Sequence, residues 1–428
     1  MRIAIFTDTY VPDRNGASAS IDHFTRLMAD DGHQIIIFCP KCGRYRDKKY
    51  PNITVKRYVS ITAPSYKDFK LALPFVWTAV KDLKSFEPDI VHIQTPLGIG
   101  WMGIWATKIL KIKNIQTYHT YIPDFLVYVK PKSLLGINKI TSLINSSKLA
   151  RAFDQYDILN ESYESVGLKS LLDKIAAERQ VEEKKNKVSK FDERFGRQYT
   201  RLVYNRANLV LTPSMAMKKV LKKQGVEPKV EVMSNGIDYD FFKKKTDFAI
   251  TNKIVNIGRL GFEKRVDIVI QAFAVAVKTN PALKLDIYGD GPARKSLQVL
   301  AKKLGVAKSI KFFGSYDINK VSQWLYKYDC FATASPIETE GIVILEAMAS
   351  GLPILGVRKL AIPDIVKDGQ NGYLSRPSDV NDMAKNMLKI MESSKVLERL
   401  SKKALATAKA HEVRLCKERL LGFYKQML

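Results

Sequence analysis

The chain has 428 residues, 46% of them hydrophobic and 26% charged, with 23 Gly and 17 Pro. At ~100–200 residues per domain this is two or three packed units, which excludes a disulfide-stapled module, a fibrous chain and a disordered one. Seventy Lys and Arg against 43 Asp and Glu leave a formal charge of +27, which calls for an anionic partner: nucleic acid, acidic lipid or a phosphorylated ligand. The four scattered cysteines are too few for a secreted disulfide framework and fit a reducing, cytoplasmic compartment.

Residues 2–6 read as an apolar strand that follows Met1 directly, without the longer apolar region and cleavage site of a signal peptide. Further strands are predicted over 34–39, 53–58, 89–93 and 115–118, with helical spacing between them, a rhythm that implies βαβ units and a parallel sheet. The apolar stretches 71–80 and 98–110 are interrupted or bounded by polar residues well short of the ~18 residues of a membrane span, so a membrane would be met from the side. From 130 to 206 the pattern turns charge-dense, with Glu182-Glu183-Lys184-Lys185. It reads as a helical insertion, either solvated or shaping an acceptor-facing or membrane-facing surface. Residues 227–251 carry Asn235-Gly236 and Lys243-Lys244-Lys245, signals of a hinge with few core contacts. Strands are predicted again over 253–257, 284–288, 310–313, 330–334 and 353–357, separated by helix-sized intervals at 266–278, 293–304 and 318–328. The expected division is a first domain over 1–237, a second over 238–410 and a C-terminal helix within 411–428.

Two doubly wound α/β domains bind ligands outside the carboxyl ends of their strands, so the strand-to-helix turns are where chemistry is expected. The strongest turn runs from Ser335 to Gly351. The start of its predicted helix, at Gly341, Ile342 and Val343, offers N–H groups to an anion. Glu338 before that helix and Glu346 within it could accept hydrogen bonds from sugar or ribose hydroxyls flanking a diphosphate. The plainer alternatives are that Glu338 and Glu340 complement the positive helix end and that Glu346 forms a structural ion pair. On the turn Gly258-Arg259-Leu260-Gly261-Phe262-Glu263-Lys264-Arg265, Arg259 as a fork and Lys264 as a point charge could converge on one anion and stand in for a metal ion. The turns Gly289-Asp290-Gly291 and Gly314-Ser315-Tyr316 are weaker signals of the same kind.

In the first half, Asn15-Gly16 forms another oxyanion-type loop. The Gly-x-Gly-x-x-Gly dinucleotide fingerprint is missing from both halves, which counts against an NAD enzyme. His119, at a strand end, could hydrogen-bond a substrate hydroxyl, whereas His92 is placed inside the sheet. Cys39-Pro40-Lys41-Cys42 has the spacing of half a zinc site without a second Cys/His cluster, so no metal is predicted. A nucleic-acid-binding protein remains as a remote reading of the charge, but no basic groove with interleaved aromatics is evident.

Together these turns resemble the retaining glycosyltransferases of family 4. The resemblance rests on Asn15-Gly16, Pro88-Asp89-Ile90-Val91-His92, His119, Thr212-Pro213-Ser214, Asn235-Gly236-Ile237-Asp238, Gly258-Arg259 with Glu263-Lys264, Gly289-Asp290-Gly291, and the acids Glu338 and Glu346 followed by Ala347-Met348-Ala349-Ser350-Gly351. It implies the GT-B fold: α/β, two doubly wound Rossmann-like domains facing a central cleft, with the C-terminal helix crossing back to the first domain.

By this resemblance the catalytic group is His119, Glu338, Arg259 and Lys264. Donor binding falls to Gly16, Gly258, Arg259, Lys264, Gly314, Tyr316, Glu338, Gly341, Ile342, Val343 and Glu346, with no cofactor and no metal. The implied donor is a nucleoside-diphosphate sugar, UDP-hexose first and GDP-mannose second. Tyr118-His119-Thr120-Tyr121 with Pro123-Asp124-Phe125-Leu126 resembles the branch that glycosylates diacylglycerol or phosphatidylinositol. That implies a lipid acceptor, an anionic membrane surface and a peripheral position on the inner face of the cell membrane, a soluble or polysaccharide acceptor being the alternative. Glu340, at a position often neutral in that branch, and the length of the 130–206 region depart from the pattern.

Overall fold

Strands buried on both faces need apolar side chains at every position rather than every second one; residues 3–6 meet that condition, and residues 254–257 depart from it only at Asn256, whose amide donates to the Ala332 carbonyl. The computed structural model describes residues 1–13, 15–42, 50–63, 66–72, 75–119, 121 and 190–428. In chain order the first half contributes β1 (Arg2–Phe6), α1 (Gly16–Asp30), β2 (Gln34–Pro40), β3 (Ile53–Tyr58), β4 (Ser60–Ala63), β5 (Tyr66–Ala72), α2 (Val76–Phe86), β6 (Ile90–Ile93), α3 (Gly98–Leu110) and β7 (Asn114–Thr117). A helix over Lys190–Tyr204 leads to β8 (Leu209–Thr212), the helix Met215–Lys223 and β9 (Lys229–Val232). Seven of these strands form a parallel sheet in the order β3-β2-β1-β6-β7-β8-β9.

Because successive residues of a strand point to opposite faces, β1 feeds two cores. Ala4 and Phe6 pack with α2 and α3 on one side, and Ile3 and Ile5 with α1 on the other. Asn15 caps α1 by accepting the Ser18 N–H at 2.9 Å.

The second sheet is also parallel. Its strands β10 (Lys253–Ile257), β11 (Lys284–Tyr288), β12 (Ile310–Gly314), β13 (Cys330–Ala332), β14 (Ile354–Val357) and β15 (Gly372–Ser375) run in the order β12-β11-β10-β13-β14-β15. In both sheets the order reverses beside the first strand, at β1/β6 and at β10/β13, so each has a crevice at its switch point. The helix Val413–Met427 leaves the second domain and fills the α1 side of the first: Cys416, Leu420 and Tyr424 join the core of Ile3 and Ile5, and Lys417 pairs with Asp31. Among the described residues no helix is long and apolar enough to cross a membrane.

Several sequence expectations change. Residues 60–72, expected to be helical, form the antiparallel β4–β5 hairpin, and β8, β9 and β15 are additional strands. The expected helix over 318–328 divides into Ile318–Val321 and a 3₁₀ turn at Leu325–Lys327, and the strand expected over 330–334 ends at Ala332. Of the expected helical insertion, Lys190–Tyr204 is a helix; residues 130–189, Thr120 and 123–126 lie outside the described residues.

The hinge expected over 227–251 is not poor in core contacts: it contains β9 and the buried Phe242 and Lys245. Lys245 sits 3.5 Å from Asp329 and donates to the Tyr328 carbonyl at 3.0 Å, while Asp329 also accepts from Thr251 and Lys253. A charge run hid this residue because its two neighbours are more exposed. Removing one partner of such a pair strands the other charge in the interior, so Lys245→Ala is expected to lower unfolding free energy by about 3–5 kcal/mol. The exposed Lys243→Ala is expected to lower it by less than about 1 kcal/mol; denaturant titration of the two variants checks the contrast.

Candidate active site

The turns at the two switch points face each other. Gly16, opening α1 after β1, lies so near the second domain that a Cβ there would stand 2.8 Å from Ile342 Cδ1, so only glycine fits without displacing that side chain. Ile342 starts the helix Ile342–Ala349, and Gly341 before it adopts φ 92°, a conformation that L side chains resist. The turn after β10 carries Gly258, Arg259 and Lys264. Lys264 Nζ donates to Glu338 Oε1 at 2.7 Å, joining the turn after β10 to the turn after β13. Arg259 Nη2 lies 2.7 Å from Glu263. Each of the two cations thus has a carboxylate partner, Glu263 for Arg259 and Glu338 for Lys264.

The remaining expected residues sit on other strand-end turns and on the helix Ile342–Ala349. Gly314 ends β12 beside Arg294, and Tyr316 two residues on is half-buried. Burial, with the charge of Glu346 nearby, pushes the Tyr316 hydroxyl up to about 12, which places Tyr316 and Glu346 in one environment. Val343 is half-buried at the helix start next to Ile342. His119 follows β7 and is half-buried; its Nε2 lies 2.6 Å from Gln94 Oε1. Burial drives the imidazole down to about 4, opposed by a hydrogen bond with the Asn235 side chain, so His119 is neutral at physiological pH.

Thr339, Glu340, Ser234, Ser214 and Asp364 form the polar seam between the domains that sequence reasoning missed. Thr339 Oγ1 donates to the His119 carbonyl at 2.9 Å, and Ser214 Oγ donates to the Thr339 carbonyl at 2.6 Å. Asp364 accepts the Ala216 N–H at 2.7 Å. Glu340 is buried and accepts from Ser234 Oγ, from the Asn235 backbone N–H at 3.2 Å and from Asn235 Nδ2. The plain reading of Glu340 as a helix-end charge fails for this reason. The available signals were an acid at a position often neutral and Asn235-Gly236 directly after a strand.

The three acids of this loop and helix are held differently. For Glu338 burial works upward, but the charge and hydrogen bond of Lys264 outweigh it and hold the carboxyl below its usual value. Burial raises Glu340 to about 7 despite hydrogen bonds from Ser234 and Asn235, and burial alone raises Glu346 to about 7. Of the cysteine pair, Cys39 is buried in β2 and Cys42 lies 3.7 Å from Asp13. Among the described residues no cluster of three or more His, Cys, Asp or Glu side chains is arranged to hold a metal ion.

A family model described as Glycosyltransferase Family 4 matches residues 14–241, more than half of the chain, and one described as Glycosyl transferases group 1 matches residues 238–407. The chain belongs to glycosyltransferase family 4. It is an enzyme of sugar transfer by membership. It is 27% identical over 379 residues to an alpha-monoglucosyldiacylglycerol synthase of Streptococcus pneumoniae, covering 87% of this chain and 75% of that protein. It is 24% identical over 414 residues to the enzyme of the same name from Acholeplasma laidlawii, covering 96% and 93%. Among solved structures, HepE of Anabaena in complex with UDP and glucose aligns with a TM-score of 0.68 at 18% identity, covering 100% of both chains. The sucrose-phosphate synthase of Thermosynechococcus elongatus aligns with a TM-score of 0.71 at 15% identity, covering 100% of this chain and 98% of that one. These two likenesses are of fold, and the fold is GT-B, two Rossmann-like domains across a cleft.

The raised acids of this glycosyltransferase set a pH dependence. In the unfolded chain Glu340 and Glu346 ionise near 4.5, whereas in the fold they hold their protons to about 7. Their contribution to stability is full below the unfolded value and is lost as pH rises through the folded one. The wild-type denaturation midpoint is therefore expected to fall between pH 5 and 7.5 (about the window between the two values), and a Glu340→Gln/Glu346→Gln double variant to lose much of that slope.

Proposed function

We propose that this enzyme is a retaining hexosyltransferase that moves a hexose from a nucleoside-diphosphate sugar to a glycerolipid on an anionic membrane surface. UDP-hexose is the favoured donor and GDP-mannose the second. Residues 1–237 serve as the acceptor domain, 238–410 as the donor domain, and the helix within 411–428 returns to the first. The observation that carries the reading is the 2.7 Å contact of Lys264 with Glu338 between two switch-point turns. In a sugar nucleotide the diphosphate and the sugar are joined through a single glycosidic oxygen. A cation for one and an acid for the other must therefore be neighbours, as these two are.

In this reading Arg259 and Lys264 meet the charge that develops on the leaving diphosphate, together with backbone N–H groups at Gly341, Ile342 and Val343. Glu338 accepts hydrogen bonds from donor-sugar hydroxyls and Glu346 from the ribose, while the Gly314–Tyr316 loop borders the base. Gly16 and His119 approach the donor from the first domain. The glycosidic bond breaks through an oxocarbenium-like state while the acceptor oxygen approaches from the same face, and the departing phosphate takes its proton, so the anomeric configuration is kept. Two observations support the lipid acceptor: relatives named as diacylglycerol glycolipid synthases and a charge of +27. The peripheral position on the cytoplasmic leaflet follows from the same two.

Donor turnover measured with UDP-glucose, UDP-galactose, UDP-N-acetylglucosamine and GDP-mannose tests the transfer. Arg259→Ala is expected to lose ~10²–10³ in kcat with its preferred donor; near-normal turnover in a folded variant rejects the assigned role. Cosedimentation with vesicles containing acidic phospholipid is expected at low salt and to weaken as salt rises, since each well-placed Lys or Arg adds about 1 kcal/mol that ions screen. Absence of binding at low salt, with transfer to soluble acceptors, turns the assignment to a polysaccharide or small-glycoside acceptor.

A further inference from the structure

A buried run of polar side chains, unused by the sugar-transfer reading above, connects the C-terminal helix to the cleft. Tyr424 is fully buried on that helix, and its hydroxyl lies 2.6 Å from Nδ1 of His92 in β6. The other ring nitrogen of His92 lies 2.6 Å from Thr117 Oγ1 at the end of β7. Gln94, two residues after His92 and buried, places Nε2 3.2 Å from His92 Nδ1 and Oε1 2.6 Å from His119 Nε2.

The protons in this run follow from donor and acceptor counting. A neutral imidazole has one N–H and one lone pair. His92 is neutral, because burial and the neighbouring His119 drive it down to about 3. A phenol is a stronger hydrogen-bond acid than an aliphatic hydroxyl, so Tyr424 rather than Thr117 takes the single lone pair. The Gln94 amide N–H, farther off at 3.2 Å, shares that lone pair in a three-centre contact. Nδ1 of His92 is then the acceptor, and its Nε2–H is donated to Thr117. With its amide nitrogen committed to His92, Gln94 turns its carbonyl to His119, and a carbonyl oxygen only accepts.

We infer that Gln94 and Tyr424 are positioning residues that hold His119 as its Nε2–H tautomer, leaving Nδ1 as the acceptor of that ring. A neutral ring with a lone pair suits a sugar hydroxyl and disfavours a carboxylate at the same place. The consequence for turnover rests on the reading of His119 as facing the donor sugar; the tautomer itself rests only on the buried run.

The test uses the full chain labelled with ¹⁵N-histidine and long-range ¹H–¹⁵N correlation of the rings. The sequence has five histidines, so His119 and His92 are assignable from single substitutions. The expected wild-type result at pH 7 is protonated Nε2 and bare Nδ1 on both His92 and His119. Protonated Nδ1 on His119, or an imidazolium, overturns the inference. Gln94→Met, close in shape but with only a weakly accepting sulfur in place of the carbonyl, is expected to release His119 into a mixture of tautomers. Tyr424→Phe is expected to do the same in part while keeping the packing of the helix. An unchanged His119 spectrum in folded Gln94→Met also overturns the inference.

Kinetics separate this from the proposed function. Loss of one such hydrogen bond, at ~1 kcal/mol, corresponds to about a fivefold fall in kcat, with donor KM essentially unchanged, for Gln94→Met. A shifted tautomer with undiminished turnover sustains the inference and removes His119 from the sugar-transfer reading.

Discussion

The carboxyl group of Glu340, buried against Ser234 and Asn235, ties the second sheet to the end of the first. A buried carboxyl is costly unless it is neutral or well supplied with donors, and Ser234 and Asn235 supply this one with three. The rest of the cleft is laid out from that anchor. One residue before it, Thr339 takes hold of the His119 carbonyl; two residues before it, Glu338 meets Lys264; one residue after it, Gly341 opens the helix that faces Gly16. An apolar side chain at 340 could fill the same volume, but it could not fix the direction of approach, because dispersion contacts are not directional whereas three hydrogen bonds are.

The cleft also illustrates how charge is kept in order where two domains meet. Arg259 and Lys264 are long, flexible side chains with considerable rotamer freedom to lose. Each is held by a carboxylate within its own reach, Glu263 and Glu338 respectively, so part of the ordering has already taken place before any anion arrives. Glu340 and Glu346, which have no cation in an ion pair with them among the described residues, are the acids whose charge burial suppresses. The result is a cleft whose acids differ in protonation according to their neighbours, although all three are glutamates.

Much of this architecture was legible because its determinants are local. Apolar runs placed β1, β3, β10 and β11 at the bounds observed, and the glycine-bearing turns after β1, β10 and β13 mark the switch points. What escaped depends on contacts distant in sequence. Lys245 reads as part of a solvated triplet, and only the arrival of Asp329 from 84 positions away makes it a core residue. The β4–β5 hairpin contains Lys and Asp in β5 and so lacks the strong apolar signal of its neighbours. Glu340 and Thr339 gain their roles from Asn235 and His119, which no spacing rule connects to them. Gln94 is similar: a glutamine at a strand end carries no signal until His92 of β6 and His119, just after β7, are seen on either side of it.

The path of the chain also bears on the order in which the molecule can be finished. Ile3 and Ile5 are made before the second domain, yet the surface they present on the α1 face is covered by Cys416, Leu420 and Tyr424, which are made after it. The early sheet is therefore born with one flank wet and must persist that way throughout synthesis of everything that follows. Its closure waits for the helix Val413–Met427, so a nascent chain interrupted anywhere before residue 413 carries an open apolar flank, the kind of surface that chaperones and proteases recognise.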